Sequence, residues 1–228
     1  MQRNLTLNQR NENSRNKVIV KQKVVEFDLE DIKKHFDDNI NNIEQTFGIV
    51  DKLIELNEEE KSKNIMRSQI VFLVSAFDFY VHELTKYGFI KMFCHEWEST
   101  NKYNEFQVDM SLLEQAINKP ESYDWFLNYI NERFKRITFM SYKQIREQFE
   151  LLGIDLDSIM QKTFDKTNYS NYKKVFKDLT DRRNEIAHQS DRSHYDAKQN
   201  TIFKHDVEEF IDFVKKVVEA IQAFIISK

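Results

Sequence analysis

Residues 64–97 read NIMRSQIVFLVSAFDFYVHELTKYGFIKMFCHEW. Wound at the helical period, this string is apolar on most of its circumference, the pattern of a central helix packed by neighbours on several sides. Gly88 is expected to bend that helix without stopping it. Amphipathic strings on both sides offer it partners. Upstream, Leu29, Ile32, Phe36, Ile40, Ile43, Phe47, Val50 and Ile54 recur at three- and four-residue steps and predict one long helix, ended by Asn57 and the acidic run Glu58 to Glu60. Downstream, Asn171 to Gln189 carries Val175, Leu179 and Ile186 on one face, and Lys204 to Ile226 carries Val207, Phe210, Ile211, Val214, Val217, Val218, Ile221 and Ile225 as its stripe.

Between the two pairs the pattern shortens into Leu112 to Asn118, Glu121 to Arg136, Tyr142 to Leu152 and Asp155 to Lys162. Pro120 falls where a helix would begin and Gly153 where one would finish. The expected fold is all-α, a helical bundle in which residues 111–162 form an insertion of short helices within a single domain at 26–228. Three glycines and one proline in 228 residues are too few turn formers for a fold of many short strands. No repeat at a solenoid period is visible, and no Gly/Ser or Pro linker divides the chain.

Composition narrows the function classes. Cys94 is the only cysteine, which excludes an intrachain disulfide framework and a cysteine-based zinc site, and predicts a reducing, cytoplasmic setting. Met1 to Arg15 is polar and Asn-rich with no apolar stretch of a secretory leader, and the longest apolar run, Ile70 to Ala76, is too short to span a bilayer. No membrane partner is expected. The net charge of −4 argues against a protein that coats nucleic acid indiscriminately. Its distribution is uneven: residues 1–23 carry Arg3, Arg10, Arg15, Lys17, Lys21 and Lys23 against Glu12 alone. Residues 1–25 therefore read as a flexible basic arm, either solvated or touching phosphate.

The string that carries chemistry is Asp181-Arg182-Arg183-Asn184-Glu185-Ile186-Ala187-His188, late on its helix and followed by a polar loop. Asn184 and His188 are four apart and project from one side, and the long Arg183 side chain can swing toward the same pocket. An imidazole exchanges protons near neutral pH, a guanidinium grips phosphate bidentately, and an amide orients either. Together they suit cleavage of RNA by its own 2′-hydroxyl, with no metal and no cofactor, leaving a 2′,3′-cyclic phosphate and a 5′-hydroxyl.

Arg183-Asn184-x-x-x-His188, with Ile186-Ala187 as filler, resembles the signature of the HEPN superfamily, an Arg followed four to six residues later by His, usually with Asn, Asp or His directly after the Arg. The string Ile70 to Leu84 resembles the second core helix of its RiboL-PSP-HEPN branch, where an acidic residue, here Asp78, precedes an aromatic pair. The resemblance covers residues from about 29 to 228 and matches poorly over 111–162. It implies a core of about four helices. It also implies metal-independent endoribonuclease activity in many members, a homodimer whose motif helices share one cleft, and a place in toxin–antitoxin or anti-phage systems, with an antitoxin or defence-system protein as partner. Where one subgroup has a tyrosine two residues after the histidine, this chain has Ser190. Other members bind RNA or nucleotides without cutting, so a noncatalytic RNA-binding or partner-binding protein is the alternative.

Each sharp reading has a plain counterpart. His188 at a helix end can simply satisfy the last carbonyls. Arg182 lies on the apolar stripe and reads as packed or ion-paired, with a phosphate contact as its secondary role. Asp78 and His82 can be a metal pair, a buried polar pair, or an acid that orients Arg183 from the neighbouring helix. Lys173, Lys174, Lys177 and Arg192 are candidate RNA contacts or a solvated face. Tyr123, Trp125, Phe126 and Tyr129 can stack bases or fill core. His194 and His205 lie in or beside the loop after the motif and read as surface histidines.

Overall fold

The computed structural model of the chain describes residues 28–119, 122–139, 141–193 and 195–228. The basic arm at 1–25, Pro120 and His194 lie outside them. The helices run α1 (Leu29–Gln45), α2 (Phe47–Glu55), α3 (Glu59–Phe93), α4 (Asn101–Asn104), α5 (Met110–Asn118), α6 (Asp124–Phe134), α7 (Tyr142–Leu151), α8 (Leu156–Phe164), α9 (Tyr172–Gln189) and α10 (Lys204–Ile226). No strand occurs among the described residues, only an isolated bridge between Arg192 and Gln199. The fold is all-α. No helix among the described residues is long and apolar enough to cross a membrane.

The single helix expected over 29–54 is two. Thr46 breaks it: its hydroxyl donates to the Ile43 carbonyl at 2.6 Å, and Gln69 of α3 inserts its amide between that carbonyl at 3.2 Å and the Thr46 hydroxyl at 2.7 Å. A side chain wedged into the backbone ladder is a recognised cause of a kink. The acidic run at 58–60 opens the next helix and does not end the previous one, since Glu59 and Glu60 favour the positive N-terminal end of the α3 dipole. At the other end α3 stops at Phe93, short of Trp97, where His95 turns to φ 60° and the Glu96 N–H closes on the Lys91 carbonyl at 2.8 Å. The short helix α4, capped by the Thr100 hydroxyl, has no counterpart in the sequence pattern.

α3 is the hub. Ile70, Leu73, Tyr80, Val81 and Leu84 are buried along it, facing α1 on one side and α9 and α10 on others. Aromatic contacts run from Phe36 to Tyr80, Phe77, Phe176 and Phe213, linking α1, α3, α9 and α10. A buried polar relay joins the same elements: Tyr80 donates to Gln222 Oε1 at 3.1 Å, and Gln222 donates to the Leu29 carbonyl at 3.0 Å. Gly88 lies inside α3, which passes through it, because a Cβ there would meet Leu152 Cδ2 at 2.7 Å and Trp97 at 3.1 Å. The short helices of 111–162 feed the same core. Phe126, Ile130 and Phe134 of α6 and Ile145 and Phe149 of α7 are buried against it, and Phe89 of α3 contacts Tyr103, Phe106, Phe126 and Phe134.

Candidate active site

α9 is positioned by Phe176 and Leu179, buried against α3 and α10. Phe176 meets Phe77 at 5.9 Å, and the antiparallel run of the two helices then brings Arg67 of α3 level with the end of α9. Val175 and Arg182 turn toward Val207 and Phe210 of α10, with which they line one pocket. Asn184 and His188 therefore leave α9 on the flank away from α10. Lys173, Lys177, Asn184 and His188 fall within about 60° of one another around the axis. They form one row along the helix.

The three motif residues differ in environment. Arg183 is half-buried and donates from Nη1 to Asn184 Oδ1 at 3.1 Å. Its Nε–H is buried and has no acceptor, and among the described residues Arg183 forms no ion pair. His188 is exposed and makes no hydrogen bond or ion pair among the described residues. It does not serve as the helix cap: the N–H groups of Ser190 and Asp191 both close on the Glu185 carbonyl instead. The structure thus joins Arg183 to Asn184 and leaves the His188 imidazole free one turn further on.

Other cations near the motif are committed. Lys173 pairs with Asp157 at 2.7 Å, Lys174 with Asp178 at 2.8 Å and Lys177 with Asp181 at 2.5 Å, and Arg192 donates to the Ala197 carbonyl at 2.7 Å. These exposed pairs are weak and can rearrange. Lys173 and Lys177 share the His188 row, whereas Lys174 turns further round. The Lys173 bond is the main reason that the Asp157 carboxyl titrates below its ordinary range.

Arg182 is the ion-paired residue that its place on the stripe suggests. Both of its terminal nitrogens bind Asp191, one at 3.0 Å, and it also donates to the Thr201 carbonyl at 2.9 Å. Asp191, fully buried, accepts in addition from Arg67 Nε at 2.6 Å and Asn200 Nδ2 at 3.2 Å. Two consecutive non-glycine residues, Ser190 and Asp191, take positive φ there, 52° and 56°. This hook fastens the end of α9 to α3 and to the segment at 200–201. Sequence reasoning missed Arg67 and Asp191, although a signal existed: Arg67 is the only charged side chain between Ile65 and Phe77, and a cation on so apolar a helix needs an anion.

Asp78 does not reach Arg183. It accepts from the Phe139 N–H at 2.5 Å, while His82 Nε2 lies 2.9 Å from the Ile137 carbonyl and 3.8 Å from Asp78. Both residues clamp the segment between α6 and α7. Phe126 and Trp125 of α6 pack on Phe93, and Tyr129 donates to the Gln107 carbonyl at 2.8 Å. His205 stands at the start of α10, exposed, 3.1 Å from Glu209.

A profile of the RiboL-PSP-HEPN family matches residues 27–227. The chain belongs to the RiboL-PSP-HEPN family. Membership in this HEPN-type family supports a nuclease or other RNA-related function at the level of the family. The match runs through 111–162, where the motif-level resemblance is poor. Searches of curated proteins and of solved structures returned no match.

Proposed function

We propose that this RiboL-PSP-HEPN protein is a metal-independent endoribonuclease, acting as a toxin or anti-phage effector in the cytoplasm. The observation that carries this reading is Arg183: a guanidinium without an anionic partner among the described residues, tied to Asn184 and one turn from an uncommitted His188. Its neighbour Arg182 has a buried carboxylate. An arginine held in this way suits a phosphodiester.

In the proposed reaction the 2′-hydroxyl of one nucleotide attacks the adjacent phosphorus, its proton passing to a base, while the 5′-oxygen leaves with a proton from an acid. His188 performs one of these transfers, Arg183 balances the charge building on the phosphate oxygens, and Asn184 holds the guanidinium and the substrate in register. Lys173 and Lys177 extend the row toward neighbouring phosphates. Base and acid act at opposite ends of one phosphorus, so a second imidazole from a second copy completes the pair, which makes a C2 homodimer the working unit.

The test is incubation of purified protein with single-stranded RNA in excess EDTA. Cleavage to 2′,3′-cyclic phosphate ends is expected, DNA being resistant for want of the 2′-hydroxyl. Arg183→Ala and His188→Ala are each expected to lose about a hundredfold or more. RNA binding that persists with no cleavage by the wild type would place the chain with the binding proteins, and activity that requires magnesium would overturn the mechanism.

A further inference from the structure

Among the described residues two arginines, Arg146 and Arg183, have a buried Nε with no acceptor. Arg183 carries the proposed chemistry, and Arg146 on α7 has no part in it. Arg146 stands within ion-pair range of two carboxylates, Glu150 at 3.5 Å and Asp157 at 3.6 Å, yet among the described residues it donates a hydrogen bond to neither. Each acid already has a nearer cation: Lys102 reaches Glu150 at 2.5 Å and Lys173 reaches Asp157 at 2.7 Å. Three cations thus meet two acids, and the Arg146 side chain, 40% exposed, is the one left over. Lys173 is also the first residue of the row that runs down α9 to Asn184 and His188. Its Nζ lies 5.3 Å from the Tyr142 ring and 5.7 Å from the Tyr172 ring, and the contact between these two rings at 5.5 Å fastens α7 to the start of α9.

We infer that Arg146 and Lys173 form a second phosphate subsite, which grips the RNA strand roughly three nucleotides from the phosphodiester held at Arg183. The inference rests on the ribonuclease reading for the identity of the ligand and on geometry for its place. At 1.5 Å per residue Lys173 is about 16 Å from Asn184 and about 22 Å from His188 along the axis, a span that an extended strand crosses in a few nucleotides. Arg146 gives up no hydrogen bond in turning to a phosphate, so its planar fork is open to a bidentate grip. Lys173 does give one up, but Asp157 is not left bare: the Tyr142 hydroxyl donates to it at 2.8 Å and the Tyr172 hydroxyl at 3.4 Å. The consequence for substrate choice is one of length. An RNA that extends about three nucleotides or more to one side of the cut gains the second contact, and a shorter one forfeits it.

Fluorescence anisotropy of a labelled 2′-O-methyl RNA octamer, which cannot be cut through a 2′-hydroxyl, tests this with the full chain at several salt concentrations. The proteins compared are the wild type, Arg146→Gln, Arg146→Lys and Lys34→Gln, Lys34 being exposed on α1 and outside the row. Lys34→Gln is expected to bind as the wild type does. Arg146→Gln, with unchanged circular dichroism, is expected to bind about tenfold more weakly, its plot of log K against log salt shallower by about 0.7, the share of one single-strand phosphate. Arg146→Lys, which keeps the charge and loses the fork, is expected to keep the slope. An unchanged affinity for Arg146→Gln, a loss without a change of slope, or a wild type that binds no RNA overturns the inference. Binding that Arg146→Gln weakens in the expected way, by a protein that never cuts unmodified RNA, supports the subsite and counts against the ribonuclease reading alone.

Discussion

Replacing Asp191 by Asn removes one charge and almost no volume from the hook at the end of α9. The carboxylate is fully buried, and Arg67 and Arg182, whose side chains are 7% and 17% exposed, both aim at it. With the amide in place, two guanidinium groups face each other without an anion, and the new NH2 is a donor confronted by donors. Breaking a buried ion pair by removing one partner costs about 3–5 kcal/mol, against a total stability of about 5–15 kcal/mol for a domain. Urea unfolding followed by circular dichroism reads this directly: at roughly 3 kcal/mol per molar, the midpoint is expected to fall by about 1–2 M. Replacing Arg67, Arg182 and Asp191 together with Met, Met and Leu should recover most of the loss, since the penalty lies in unpaired charge and not in missing contact. A loss under about 1 kcal/mol for Asp191→Asn would refute the reasoning and mean that water or a rearranged loop solvates the arginines.

Gly88→Ala gains about 1 kcal/mol of helix propensity yet drives a methyl into Leu152 and Trp97, so a net loss of about 1–2 kcal/mol is expected. Leu152→Ala should cost less in that background than in the wild type, and additive effects would show that the two sites do not touch. Asp157 has its folded pKa lowered from 3.8, chiefly by the Lys173 hydrogen bond. Its stabilisation is therefore fully present above the ordinary carboxyl value and lost as pH falls through the lowered one. The stability gap between wild type and Asp157→Asn should hold from neutral pH to about 5 and close below 3.8, and a gap that persists in strong acid would contradict the pairing.

Most of the helices were legible because burial writes itself at a fixed period. α10 begins and ends where its stripe does, and α7 stops before Gly153, whose φ of 68° needs a glycine. The break at Thr46 was not legible, because the stripe through Ile43, Phe47 and Val50 continues across it and the cause, Gln69, is a side chain from another helix. Spacing singled out Arg183, Asn184 and His188 as candidates, and the Arg183–Asn184 bond follows from their adjacency. What spacing could not supply was the division of labour between neighbouring arginines. Arg182 and Arg183 are identical side chains, and only the folded position of Asp191 shows that Arg182 is ion-paired, while Arg183 has no anionic partner among the described residues.

Helix ends ordinarily fray on fast timescales, and His188 is one residue from the last of α9. Here the strands of chain that would have to peel away are tied through Asp191 to the middle of the bundle. Opening the end of α9 then requires unburying two arginines, so the amides around His188 should exchange with solvent nearly as slowly as those of the core helices. Timing at this position is set by the whole fold: His188 keeps its place for as long as the bundle stays folded.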